Sequence, residues 1–154
     1  MIRSGYRTKL TVVVLMLLAV AAVCPVEAAA PRLLIVHGKP LKKPVLLSDW
    51  GEIFKLITTS TESAGITSKE LKDRPRMELA FFWGPDWVRY VDEGNRLDKL
   101  RPEDANQNGW FYPAFADAEA VIWTNGSSIS RVSEEGLKIL ARHGIPTRLD
   151  RKPD

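Results

Sequence analysis

Cysteine is almost missing from this chain: of 154 residues only Cys24 is one, and it stands directly behind an apolar leader. If that leader is removed, the mature protein has no disulfide framework, no thiol nucleophile and no thiolate metal site. Histidine is nearly as scarce, with His37 and His143 alone. The chain holds no His-Glu-x-x-His helix, no phosphate loop, no dinucleotide glycine pattern and no Gly-x-Ser-x-Gly elbow. Charge of one sign is also in short supply. The full chain carries 22 basic and 19 acidic residues, but three basic residues and one acid fall within positions 1–30, leaving 19 and 18, a net charge of about +1. The basic excess that marks a nucleic-acid binder is therefore not expected in the mature chain.

What the chain does have begins with its leader. Arg3, Arg7 and Lys9 precede the uncharged run Leu10 to Val23, and small residues close the segment at Ala28 to Ala30. Basic start, apolar centre and small-residue exit describe a secretory signal peptide. The apolar run is short of the roughly 20 residues that span a bilayer. The expectation is cleavage after Ala28 or Ala30 and a secreted or periplasmic protein. A retained leader, or lipid attachment at Cys24, would instead tether the chain to a membrane, although Val23 is bulkier than the residue that usually precedes a lipidated cysteine. Residues 31–154 suit one domain with a single core.

Along that domain, Leu33-Leu-Ile-Val36 and Val45-Leu-Leu47 read as strands joined by a turn containing Lys39, Lys42 and Lys43. Asp49 is placed to cap a helix, with Glu52 completing a capping box. Trp50, Ile53, Phe54 and Ile57 form its apolar stripe. Thr67 to Glu70 repeats the capping box, with Ile66 and Leu71 spaced as a hydrophobic staple. Met77 to Trp83 predicts a buried strand that Gly84-Pro85 breaks, and a short helix carrying Trp87, Tyr90 and Val91 follows. Pro102 suits the first turn of a small helix, and the polar stretch Arg101 to Gly109 leads as a loop to Trp110, Phe111 and Tyr112. Ala120–Thr124 and Ser128–Val132 flank Asn125-Gly126, which predicts a two-residue hairpin turn. Ser133 caps a final helix that Gly144 closes and Pro146 prevents from continuing. The fold class is α+β: a mainly antiparallel sheet with two or three helices packed on one face.

Candidate ligand-binding residues are Trp83, Asp86, Trp87 and Arg89 at the strand-to-helix break, with Asn106, Asn108, Trp110 and Tyr112 from the polar segment. Flat aromatic faces beside amide donors and acceptors suit a small molecule or a glycan, and a protein partner fits the same surface. Asp104, Asn106 and Asn108 with Gly109 have the opening pattern of a calcium loop, but its twelfth position is Phe115 instead of a bidentate Glu. Calcium is the only cofactor the pattern touches. The first expectation is thus an exported, non-catalytic binding or accessory module. A small extracytoplasmic hydrolase of cell-surface polymers, using Asp86 or His37, and a membrane-tethered structural subunit stay open beside it.

Overall fold

Five of the six residues Met77–Phe82 are apolar, and Leu79 to Phe82 follow one another without a break, so a strand built from them cannot alternate between core and water and must be covered on both faces. The structure is a computed structural model that describes residues 31–62, 65–124 and 129–150. In it this stretch is β4, an interior strand in which Glu78 alone is exposed. A seven-stranded sheet has the order β2-β1-β4-β5-β7-β8-β3. Its strands are β1 (Leu33–His37), β2 (Val45–Leu47), β3 (Thr61–Glu62), β4, β5 (Gln107–Tyr112), β7 (Val121–Thr124) and β8 (Ile129–Arg131). Every ladder in it is antiparallel. The fragments β6 (Ala114–Phe115) and β9 (Arg148–Leu149) pair in parallel as a separate ribbon. The fold is α+β, as the sequence predicts.

Strand alternation divides the core in two. On one face Leu34, Val36, Leu79, Phe81, Phe111 and Ile122 meet Ile53 and Leu56 of helix α1 (Trp50–Thr58). The same cluster takes Ile139 and Leu140 of the last helix, Glu134–Arg142. Two short helices lie between them in sequence, α2 (Ser68–Leu71) and α3 (Pro85–Asp92), which makes the last helix α4. On the opposite face Leu33, Ile35, Ala80 and Phe82 pack against Trp87 and Val91 of α3 and against Leu97, Leu100 and Ala105 of the segment that follows. Leu71 of α2 joins Tyr112 and Val121 in a third cluster, with Ile66 packed beside it.

The helix ends are specified locally. Asp49 Oδ1 accepts the Glu52 N–H at 3.1 Å, and Ser133 Oγ accepts the Gly136 N–H at 3.0 Å. Glu70 accepts from both the backbone N–H and the hydroxyl of Thr67, at 2.7 and 2.9 Å, and these bonds hold its carboxyl below the usual pKa. At the far end of α4 the Ile145 N–H donates to Leu140 O at 3.0 Å beyond Gly144, whose φ of +73° only glycine adopts cheaply.

Three expectations need correction. Glu52 does not return to Asp49 to complete a capping box; its carboxylate joins α1 to α4, 2.6 Å from His143 Nε2 and 2.9 Å from Arg142 Nη2. Lys55 with Glu135 at 3.1 Å, and the hydroxyls of Thr59 and Ser133 at 2.7 Å, reinforce the same junction. A tertiary partner with full charge outcompetes a local backbone donor. Next, Gln107 to Gly109 are not loop: β5 begins at Gln107 and runs to Tyr112, hydrogen-bonded on both sides. Gly109 sits mid-strand, where a Cβ would stand 2.8 Å from the Trp123 carbonyl oxygen and 3.2 Å from Thr124 Cα. Finally, the Asn125-Gly126 turn lies outside the described residues, but Trp123 pairs with Ile129. That is one position away from the register a two-residue turn would impose, and it moves Ile129 to the face of Trp123. The leader, with its cleavage site and Cys24, also lies outside the described residues.

Two stability measurements check this packing. Gly109→Ala should cost about 1–3 kcal/mol in urea unfolding, because the clash is with backbone atoms that cannot rotate away. A double-mutant cycle on Glu52→Gln and His143→Ala should return a coupling of about 1 kcal/mol between α1 and α4.

Candidate functional site

Helix α1 ends at Thr58. Trp83 follows β4 directly, and the chain turns away at Gly84, whose φ of +97° demands glycine. Asn106 holds this corner. Its side-chain oxygen accepts the Trp83 N–H at 2.8 Å, and its own N–H donates to Phe81 O at 3.0 Å. The ladder between β4 and β5 thereby continues past the strands and sets the Trp83 indole on the helix-covered side, 6.3 Å from the Phe81 ring.

The result is a cavity of about 200 Å³. Ile57, Phe81, Ile122 and the Trp83 ring supply its apolar surface, and Ser60, Gln107, Thr124 and Ser130 supply polar groups. Ser60 Oγ donates to Leu56 O at 2.6 Å, which leaves its lone pairs available as acceptors. The Trp83 indole nitrogen is buried and has no hydrogen-bond partner among the described residues. Trp50 shares that condition, but its ring is stacked on Phe54 at 5.2 Å and does not line this cavity. A buried donor without an acceptor is unusual and calls for an explanation. None of the eight residues around the cavity carries a charge at neutral pH. The space can hold a neutral group by contact and hydrogen bonding, and the lining offers no acid or base for proton transfer.

The residues picked out by sequence fall on both faces of the sheet. Trp83 belongs to the cluster under α1 and α4, whereas Trp87 belongs to the cluster under α3. Trp87 is half-buried, edge-on to Phe82 at 4.6 Å and 5.4 Å from Tyr90, so its ring is spent on packing. Asp86 and Arg89 are exposed on α3 and do not line the cavity. Asn108 is exposed and pairs across the ladder with Ala80 on the α3 face. Trp110 stands opposite Glu78 and Trp123, with its ring 5.0 Å from Trp123 and the Arg76 guanidinium 5.5 Å from its centroid. Tyr112 is only 1% exposed and is a core residue, not a surface contact. Arg74 spans its ring at 5.9 Å while donating to the Pro113 and Glu119 carbonyls, and burial lowers the guanidinium pKa.

Two residues of the calcium pattern have hydrogen-bond partners. Asp104 Oδ2 accepts the Arg101 N–H at 3.2 Å and so caps the short turn Pro102–Asp104, while the Asn106 oxygen is engaged at Trp83. Among the described residues no group of three or more His, Cys, Asp or Glu converges on a point. The groups considered for hydrolysis lie apart. His37 pairs across the ladder with Glu78 at the start of β4, and Asp86 follows the other end of that strand. No helix among the described residues is long and apolar enough to cross a membrane.

Comparison with family models, with curated proteins and with solved structures finds no match to this chain.

Sequence reading missed the other seven lining residues, Ile57, Ser60, Phe81, Gln107, Ile122, Thr124 and Ser130. The signal for two of them is polarity at inward strand positions, since Thr124 and Ser130 sit on the same face as Ile122. Recognising it requires the strand register. Asn106→Ala should unpin Trp83 and cost about 1 kcal/mol for the lost acceptor. Asn106→Asp, which keeps an acceptor, should retain most of the stability, as thermal unfolding would report.

Proposed function

We propose that this chain is an exported, non-catalytic binding or accessory protein that takes a small ligand in the cavity beside Trp83. The supporting observation is a cavity of about 200 Å³ in which apolar surface adjoins an amide and three hydroxyls. Pockets of that make-up hold small molecules: the apolar walls contribute affinity and a few placed polar groups fix orientation. The arrangement is held by main-chain and side-chain bonds on secondary structure, which favours a preformed site.

Export rests on the leader, with its basic start, apolar run and small-residue exit. It accords with a mature chain whose stability comes from packing and ion pairs and needs no cysteine. Outside the cytoplasm the protein would meet small solutes or fragments of surface polymers. The cavity is large enough for one ring or one short chain end.

Two measurements test the reading. Mass spectrometry of the exported protein should find Ala29 or Pro31 at the N-terminus; a retained leader or a lipid adduct on Cys24 would replace the free module with a membrane-tethered subunit. A thermal-unfolding screen with small neutral compounds, glycans, phosphates and calcium should find a stabilising ligand. At about 100 times its dissociation constant that ligand adds about 2.7 kcal/mol, a shift of several degrees. Gln107→Ala should abolish the shift, and Asp86→Asn and Arg89→Ala should leave it unchanged. Loss of the shift in Asp86→Asn alone would move the site to α3.

A further inference from the structure

We infer that the cavity takes a single neutral pyranose ring, its apolar face toward Trp83 and its hydroxyl edge toward Gln107, Thr124 and Ser130; this rests on reading the cavity as a ligand site. The strand order sorts the lining. Phe81 and Trp83 mark the β4 side, Gln107 stands on β5, Thr124 on β7 and Ser130 on β8. Phe81 pairs with Gln107 and Ile122 with Ser130, and Thr124 is two residues from Ile122, so these side chains share the helix-covered face. At about 4.8 Å per strand, β4 and β8 lie about 14 Å apart at the backbone. Phe81 is 1% exposed and forms the floor on its side, beneath the half-buried Trp83. The Trp83 indole nitrogen is itself buried, so the exposed part of that ring is carbon. The lining therefore runs from a flat apolar surface to hydroxyls, with the amide between them.

A pyranose has the same division: its ring C–H groups form an apolar face that packs on an aromatic surface, and its hydroxyls line the edge. Size admits one ring. A cavity of about 200 Å³ exceeds the roughly 150 Å³ that admits benzene in an apolar protein interior, but not by enough for a second ring. Six of the eight lining residues are half-buried, so the space reaches solvent and outward hydroxyls stay hydrated. Charge narrows the class. No lining side chain is ionic, so a carboxylate or an ammonium would lose its water without gaining a counter-ion. Half of the lining is polar, with Ser60 joining the three strand residues. A ring with one hydroxyl would displace their water and leave most of them unpaired, whereas a ring hydroxylated on several carbons supplies donors and acceptors together. Two sources share this chemistry: a free monosaccharide, and the terminal unit of a surface polymer.

The test titrates the ¹⁵N-labelled protein with glucose, galactose, mannose and N-acetylglucosamine, followed at the backbone signals of Gln107, Ile122 and Thr124. The controls are glucuronate and, below neutral pH, glucosamine as ionised rings, cyclohexanol as a ring with one hydroxyl, and glycerol as hydroxyls without a ring. The expected result is a saturable shift with at least one neutral sugar, bound about tenfold or more tightly than any control. Gln107→Leu should weaken that sugar about tenfold and leave cyclohexanol no weaker. Ser130→Val, on a different strand, should act in the same direction and covers the case in which Gln107→Leu does not fold. A trisaccharide of the same sugar separates the sources: binding equal to or tighter than the monosaccharide assigns a polymer end, and weaker binding assigns the free sugar. If a control binds as tightly as the best sugar, or if both variants leave the sugar's affinity unchanged, the ligand class is wrong and the cavity remains a site. If no probe moves these signals, the ligand class is overturned, and with a blank thermal screen the site falls too.

Discussion

The requirement to bury β4 on both faces organises this protein. Met77, Leu79 and Phe81 point one way and Ala80 and Phe82 the other, and each set is 1% exposed or less. A sheet with two apolar faces needs two covering layers, and a domain of this length has few elements to supply them. Helices α1 and α4 cover the Phe81 face as a braced pair, joined by Glu52, Arg142 and His143 and by Lys55 and Glu135. The short α3 and the turns after it cover the Phe82 face, with Trp87 providing the bulk that its few residues otherwise lack.

The cavity follows from the limits of that covering. Helix α1 ends at Thr58, and the cavity lies at that end, bordered by Ile57 and Ser60. At the uncovered end the inward positions are Gln107, Thr124 and Ser130 in place of leucines or valines. A chain selected only for stability would close such a space with apolar side chains or a longer helix, since each unfilled volume forfeits contacts. Retaining polar groups there fits a site kept open for a ligand, at some cost in stability.

The legible parts of the sequence were those decided by neighbours. Asp49, Ser133 and Gly144 mark helix ends through bonds reaching only a few residues, and the apolar run of β4 declares a strand wherever it packs. The parts decided by distant partners were not legible. Glu52 has a local capping partner in sequence, and only the fold reveals that Arg142 and His143 are nearer rivals. Consecutive amides at Asn106 to Asn108 resemble a loop, yet neighbours on both sides hold Gln107 onward as a strand. Of the residues first considered for binding, Trp83 alone lines the cavity and Asn106 positions it; Trp87 and Tyr112 serve the core. Aromatic residues close in sequence separate when a strand sends alternate side chains to opposite faces.

The most direct test of this account is the stability of Ser130→Ile, which places apolar volume into the cavity from a strand position that favours branched side chains. If the space is a site kept open against packing, the variant should unfold at a higher temperature than the parent while losing its response to any ligand that stabilises the parent. A variant that unfolds earlier and still responds to the ligand would contradict the account.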